Sequence, residues 1–285
     1  MGLTMFKASL AALAVFAVCA TSAAAQVGAD LNISPRRVTF DQSDRSATVY
    51  VFNQGDTAAT YSVELVDRVM RPDGQIVAAA DAADEPASPS ARSMIEYTPR
   101  RVTLQPKQSQ VIRVRVRPAI DASPEYRTHL TVTALPPEDT GFTAAQAAAG
   151  SEDGVSLQVT ALFSVSIPLI VRQGDIDARA AIENVSLVSA GPGPEGAIAP
   201  AVQLDLVRLG ANSVYGDVEI HAGEGPADHI VGLVKGVAVY PEIGRRTLVA
   251  PLSVVVPAGE PLRIVYRDDD AHAGDVLATA SLPGT

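Results

Sequence analysis

A chain of 285 residues with 47% apolar and 5% aromatic side chains and no Trp is long enough for one large domain or two ordinary ones. Its 22 basic and 32 acidic side chains give a net charge of −10, which argues against nucleic acid as a general partner, because phosphate binding needs basic surface. One Cys leaves no Cys pair for a disulfide or a thiolate metal site.

Residues 1–25 read as a secretory signal peptide. Lys7 supplies the positive start, an Ala-, Leu-, Val- and Phe-rich run extends through Cys19, and Ala23-Ala24-Ala25 closes it, so cleavage is expected before Gln26. Lipidation at Cys19 would want a small residue before it and finds Val18. The apolar core is also shorter than the roughly 20 residues of a membrane span, so no stable membrane insertion is expected. Cleavage would remove one Lys and the only Cys, leaving 21 basic and 32 acidic side chains, a net −11. Stability must then come from apolar burial, although an exported protein could form disulfides.

Period-two alternation dominates the remainder of the chain. The hexamer PRRVTF at 35–40 returns as PRRVTL at 99–104. Each copy is followed by a short polar link, Asp41–Arg45 or Gln105–Ser109, and then an alternating strand. Pro cannot donate to a ladder and belongs at a strand start or edge, so each copy reads as a short edge strand feeding a hairpin. In 47–52, Ala47, Val49 and Val51 face one way, and Asn53-Gln54-Gly55-Asp56 turns the chain. Tyr61, Val63 and Leu65 alternate in the next strand, and Pro72-Asp73-Gly74 is a turn. Residues 78–92 read as an exposed loop. Strands follow at 111–117 and 130–135, and FTAAQAAA at 142–149 is the one stretch with helical character. Strands about ten residues apart with turns between them indicate an antiparallel sandwich.

Residues 155–171, VSLQVTALFSVSIPLIV, place Val155, Leu157, Val159, Ala161, Phe163, Val165, Ile167, Leu169 and Val171 on one face. Seventeen residues exceed the usual strand of about five or six. Either this is a long core strand bent or divided at Pro168, or it is an edge strand that offers its apolar row to another protein. After Arg172-Gln173-Gly174-Asp175 the strands continue to Leu282 with Gly/Pro separators such as GPGPEG at 191–196. A second β-domain is read from 173, giving a signal peptide (1–25), an N-terminal domain (26–172) and a C-terminal domain (173–285).

No sequence motif of a hydrolase, a zinc protease or a phosphate-cradling loop is present, so neither an enzymatic activity nor a cofactor is expected. His129, His221, His229 and His272 have no ligand spacing on one element, and His129 reads as an incidental surface residue. Asp268-Asp269-Asp270 could attract Ca²⁺, but the other positions of a calcium loop are missing, so a solvated turn is favoured and no metal is expected. Arg113, Arg115 and Arg117 line one strand face, read as solvated and paired with acids.

As a set, these motifs resemble the periplasmic pilus-assembly chaperones of the chaperone–usher pathway, the PapD-like family, over residues 31–172. The matching pieces are Ile33-Ser34-Pro35-Arg36-Arg37-Val38-Thr39-Phe40, the strand ending in Asn53, the segment holding Thr98-Pro99, Leu104, Pro106, Gln110 and Arg113-Val114, and the run from Tyr126 to Pro136. The resemblance implies an all-β chain of two immunoglobulin-like sandwiches at an angle, with a cleft between them. It implies a periplasmic, ATP-independent chaperone that binds pilin-like or surface-fibre subunits by lending an alternating edge strand, for delivery to an outer-membrane usher. On this alignment Arg37 holds the subunit carboxylate, Val155, Leu157, Val159, Ala161 and Phe163 form the donor strand, and Arg172 makes an ion pair between the domains. Two departures stand out. Pro168 occupies the place of the family's second basic anchor, with Arg36 as a substitute on the wrong strand face. Gln105 stands where the acidic partner of Arg172 is expected, with Asp268 to Asp270 as replacements. The alternative is an Ig-like periplasmic structural or adhesion module that has lost the carboxylate anchor.

Overall fold

Each alternating run builds a strand with one apolar face, and such faces are stable only when two sheets close on each other. The computed structural model describes residues 30–117, 123–136, 162–192, 198–223, 225–257 and 259–284, with backbone only at 190–192 and 198–199. Among these residues the chain is all-β, with three short 3-10 turns and no α-helix. It forms two successive β-sandwiches of the immunoglobulin-like kind. The candidate helix at 142–149 lies outside the described residues.

In the first sandwich one sheet joins β1 (Leu31–Ser34), β3 (Ser46–Asn53), β9 (Ser109–Val116) and β7 (Ile95–Thr98) in that order. The facing sheet runs β2 (Val38–Phe40), β11 (Ser164–Arg172), β10 (Glu125–Leu135), β4 (Ala59–Val66) and β8 (Arg101–Leu104). The shared core holds Val49, Val51, Tyr61, Val63, Ile112, Leu130 and Leu169, all essentially inaccessible. The repeated hexamers now have a structural meaning. At each one the chain leaves an edge strand of the first sheet and enters an edge strand of the second: β1 to β2 on one flank, β7 to β8 on the other. The Ser34–Pro35 and Thr98–Pro99 peptide bonds at these crossings are both cis. A proline at each edge removes no donor from an interior ladder.

A two-stranded hairpin, β5 (Arg68–Met70) and β6 (Ile76–Ala78), projects from the first sandwich as a strap. Its Met70 is buried in the core of the second sandwich. Pro72 O accepts the Thr247 N–H at 2.9 Å. Gly74 packs against the Arg246 guanidinium at φ 87°, a backbone conformation that L side chains rarely adopt, which favours glycine there.

The first strand of the second sandwich is β12. One sheet joins β12 (Ala180–Pro192), β13 (Ile198–Arg208) and β16 (Arg245–Pro251). The other joins β15 (His229–Val239), β14 (Val214–Ala222), β17 (Leu262–Asp268) and β18 (Val276–Leu282). Val202, Leu204, Leu206, Val218, Ile220, Ile264 and Tyr266 form its core. The Tyr266 hydroxyl, buried and pushed above its ordinary pKa by that burial, donates to Val237 O at 2.8 Å.

Candidate functional site

Strand β10 is buried on both faces over its first eight residues. Tyr126, Leu130 and Val132 enter the first core. The opposite face, Glu125, Arg127 and His129, is buried as well, and the second sandwich supplies partners to Glu125 and Arg127 and to Arg37, Thr39 and Arg172 beside them. The expected cleft is thus a closed, charged seam over much of its length.

Three arginines and three carboxylates meet there. Arg37 Nη2 donates to Asp270 Oδ2 at 2.8 Å, and its guanidinium lies 4.5 Å over the Tyr215 ring. Arg172 donates to Glu125 Oε2 at 3.1 Å, to Asp270 Oδ2 at 2.8 Å and to Ser213 O at 3.1 Å. Arg127 pairs with Glu242, donates to Arg68 O at 2.8 Å and packs its guanidinium 3.7 Å from the Tyr240 ring centre. Glu242 also accepts the Met70 N–H at 2.8 Å and the Ser88 hydroxyl, which ties the strap into the same cluster. Buried charges persist only when paired and hydrogen-bonded, and here the formal charges of the six groups cancel.

The titration behaviour follows from this packing. Burial pushes the Asp270 carboxyl up, but Arg37 and Arg172 outweigh it and hold the group below the usual carboxylate range. Burial alone would lower the Arg37 pKa, while Tyr240 and Asp270 raise it further, so Arg37 stays charged. His129 is lowered to about 3 by burial and by the fields of Arg127, Arg68 and Arg37, and is therefore neutral at neutral pH.

Asp270 reaches the seam because the loop after β17 is organised by Asp268. The Asp268 carboxylate accepts the amides of Asp270 at 3.0 Å and His272 at 2.7 Å. Two of the three aspartates are not simply solvated, since Asp268 shapes the loop and Asp270 enters the ion cluster, while Asp269 is exposed. Among the described residues no group of three or more His, Cys, Asp or Glu side chains could hold a metal.

Arg37 and Arg172 lie together on Asp270. Phe163 is half-buried and Val165 packs on the first core, while Ile167, Leu169 and Val171 belong to that core. Val155, Leu157, Val159 and Ala161 lie outside the described residues. Pro168 sits opposite His129 in the β10–β11 register, and Arg36 is exposed. His129 is 3% exposed, which corrects its reading as a surface residue. Arg117 pairs with Glu96 at 2.8 Å, whereas Arg113 and Arg115 have no ion pair among the described residues.

Sequence reasoning missed Glu125, Glu242, Tyr215 and Tyr240. A signal existed for the first: Glu125, Arg127 and His129 alternate with Tyr126, Thr128 and Leu130 at the head of an apolar strand, the pattern of a strand whose second face meets polar protein.

Strand β11 has one further property. On one side it pairs with β10 from Ser164 to Arg172. On the other, β2 reaches only Leu169 to Val171. Strand β1 also lies near β11 but makes its ladder with β3. The outer edge of Ser164–Pro168 therefore has no strand partner among the described residues.

No family model and no curated protein matches the chain. Solved structures with a similar arrangement include the CupB2 chaperone of Pseudomonas aeruginosa (14% identity, 89% of this chain and 100% of that one, TM-score 0.43). Another is the E. coli chaperone DraB (16% identity, 90% and 96%, TM-score 0.42). A third is the CsuC–CsuE chaperone–tip adhesion subunit pre-assembly complex from the archaic chaperone–usher Csu pili of Acinetobacter baumannii (12% identity, 88% and 97%, TM-score 0.45).

Proposed function

We propose that the protein is an ATP-independent periplasmic chaperone that lends an apolar edge strand to pilin-like or surface-fibre subunits and passes them to an outer-membrane usher. The observation that carries this reading is the open edge of β11. It continues in sequence from the alternating row Val155, Leu157, Val159, Ala161 and Phe163. A subunit lacking a strand exposes apolar surface and unpaired amides, and an open edge with large apolar side chains every second residue covers both. On this reading residues 1–25 are the cleaved signal, 26–172 the donor domain and 173–285 the second domain. Arg37 is the subunit-carboxylate anchor and Arg172 the inter-domain tie.

The test is subunit capture. A Leu157→Glu/Phe163→Glu variant should lose co-purification of a strand-lacking pilin-like subunit from periplasm while keeping the wild-type circular dichroism spectrum. Capture at wild-type level would defeat the strand-lending reading. One observation favours the second reading, an Ig-like structural or adhesion module: Arg37 is already engaged by Asp270, with both side chains about one-tenth exposed, so this guanidinium is committed within the seam. That module would bind a folded surface or glycan without any incomplete subunit.

A further inference from the structure

Charge is segregated along this acidic chain. Residues 92–117 carry seven basic side chains and one acid, Glu96, a net +6, so the rest of the 285 residues carries −16 against the total of −10. This stretch contains β7, β8 and β9, on the side of the first sandwich away from the open edge of β11.

Within it lies a cavity of about 440 Å³ between β4 and β7, with Arg92 and Arg100 in its wall. Neither arginine makes an ion pair among the described residues. Arg100 is held by its guanidinium, 5.0 Å from the Tyr97 ring centre, and Tyr97 is fixed by its hydroxyl, which donates to Val63 O at 3.1 Å. Glu64 also lines the cavity, so its charged side chains sum to +1.

The backbone adds a second feature. Strand β8 pairs with β4 only from Ala59 to Ser62, and beyond it the Val63 N–H turns outward to Arg100 O at 2.9 Å. Alternation in an antiparallel ladder directs the Leu65 N–H and C=O to the same side, where β4 has no further strand partner. Strand β7 is likewise paired only with β9. The cavity therefore offers two guanidinium forks together with a backbone donor and a backbone acceptor.

We infer that this cavity binds a short acidic peptide segment in extended form, its carboxylates on Arg92 and Arg100 and its main chain on the Leu65 edge. Guanidinium forks match carboxylate geometry. A phosphate would use the arginines but leave the Leu65 carbonyl unmet, which favours a peptide. The site is separate from the β11 edge and stands whether or not that edge is lent.

Fluorescence anisotropy of the full chain tests the inference with a labelled hexapeptide, Asp-Val-Glu-Val-Asp-Val, and a control carrying Lys at the three acidic positions. The acidic peptide should bind and the Lys peptide should not. Arg92→Glu/Arg100→Glu should weaken binding at least about tenfold, the scale of lost charged hydrogen bonds. Arg92→Lys/Arg100→Lys should retain part of it. If the Glu variant fails to fold by circular dichroism, Arg92→Gln/Arg100→Gln gives the same reading. Equal binding of both peptides, acidic-peptide binding indifferent to the arginine variants, or no binding of the acidic peptide at all would each overturn it.

Discussion

Replacing Arg172 with Met probes the seam most directly. The Arg172 side chain is 2% exposed and holds Glu125, itself 1% exposed, as well as Asp270. Removing one partner of a buried pair costs about 3–5 kcal/mol, because the other charge is stranded. Here the loss is cushioned. Asp270 keeps Arg37 and the Thr39 hydroxyl, and Glu125 Oε2 keeps the Ser213 N–H at 3.0 Å. Glu125 Oε1, however, has no partner even in the intact seam. The expected cost is therefore at the low end, about 3 kcal/mol. Urea denaturation followed by far-UV circular dichroism measures it, since the chain has no Trp to report. Adding Glu125→Gln neutralises the stranded charge, so the double variant should be more stable than Arg172→Met alone, with a coupling of at least about 1 kcal/mol. An Arg172→Met cost under about 1 kcal/mol, or strictly additive single costs, would show that the pair does not hold the seam as argued.

Asp270→Asn bears on pH. The Asp270 carboxyl is held below its unfolded value, so its contribution is complete above that value, near pH 4, and is lost as pH falls through the folded value. The stability gap between wild type and Asp270→Asn should therefore be widest at neutral pH and narrow below about pH 4, as read from denaturation midpoints across pH. A gap that stays constant to pH 2.5 would refute the assignment. Asn53→Ala removes a buried amide that donates to Thr57 O at 2.8 Å and Leu104 O at 3.2 Å and accepts from the Gly55 N–H at 3.1 Å. It should cost about 2 kcal/mol, from buried groups left unpaired, in the same urea assay.

Much of the architecture is legible in the sequence because a strand writes its face as alternation. Val49 and Val51, or Tyr61, Val63 and Leu65, declare the core without knowledge of the partner sheet. The hexamers declare edge strands through their prolines, although nothing local says that both cross between sheets. The seam is less legible. Arg37 and Arg172 are marked by the motif resemblance, and Asp270 is one of three neighbouring candidates. Glu125 is joined to Arg172 by the β10–β11 register, but Glu242 and Tyr240 are joined to the cluster only by the way the two sandwiches dock. Arg127 and Glu242 stand 115 positions apart, and no period in the chain connects residues at that distance. His129 misleads because its local pattern reads as an outer strand face, whereas packing leaves it 3% exposed.

The two crossings also have a mechanical side. With β1–β2 carried over one flank and β7–β8 over the other, covalent chain stitches the two sheets of the first sandwich together at one point on each flank. Tension applied to this half of the molecule would be shared by two stitches, leaving the unhemmed length between β1 and β11 as the place where the layers part first.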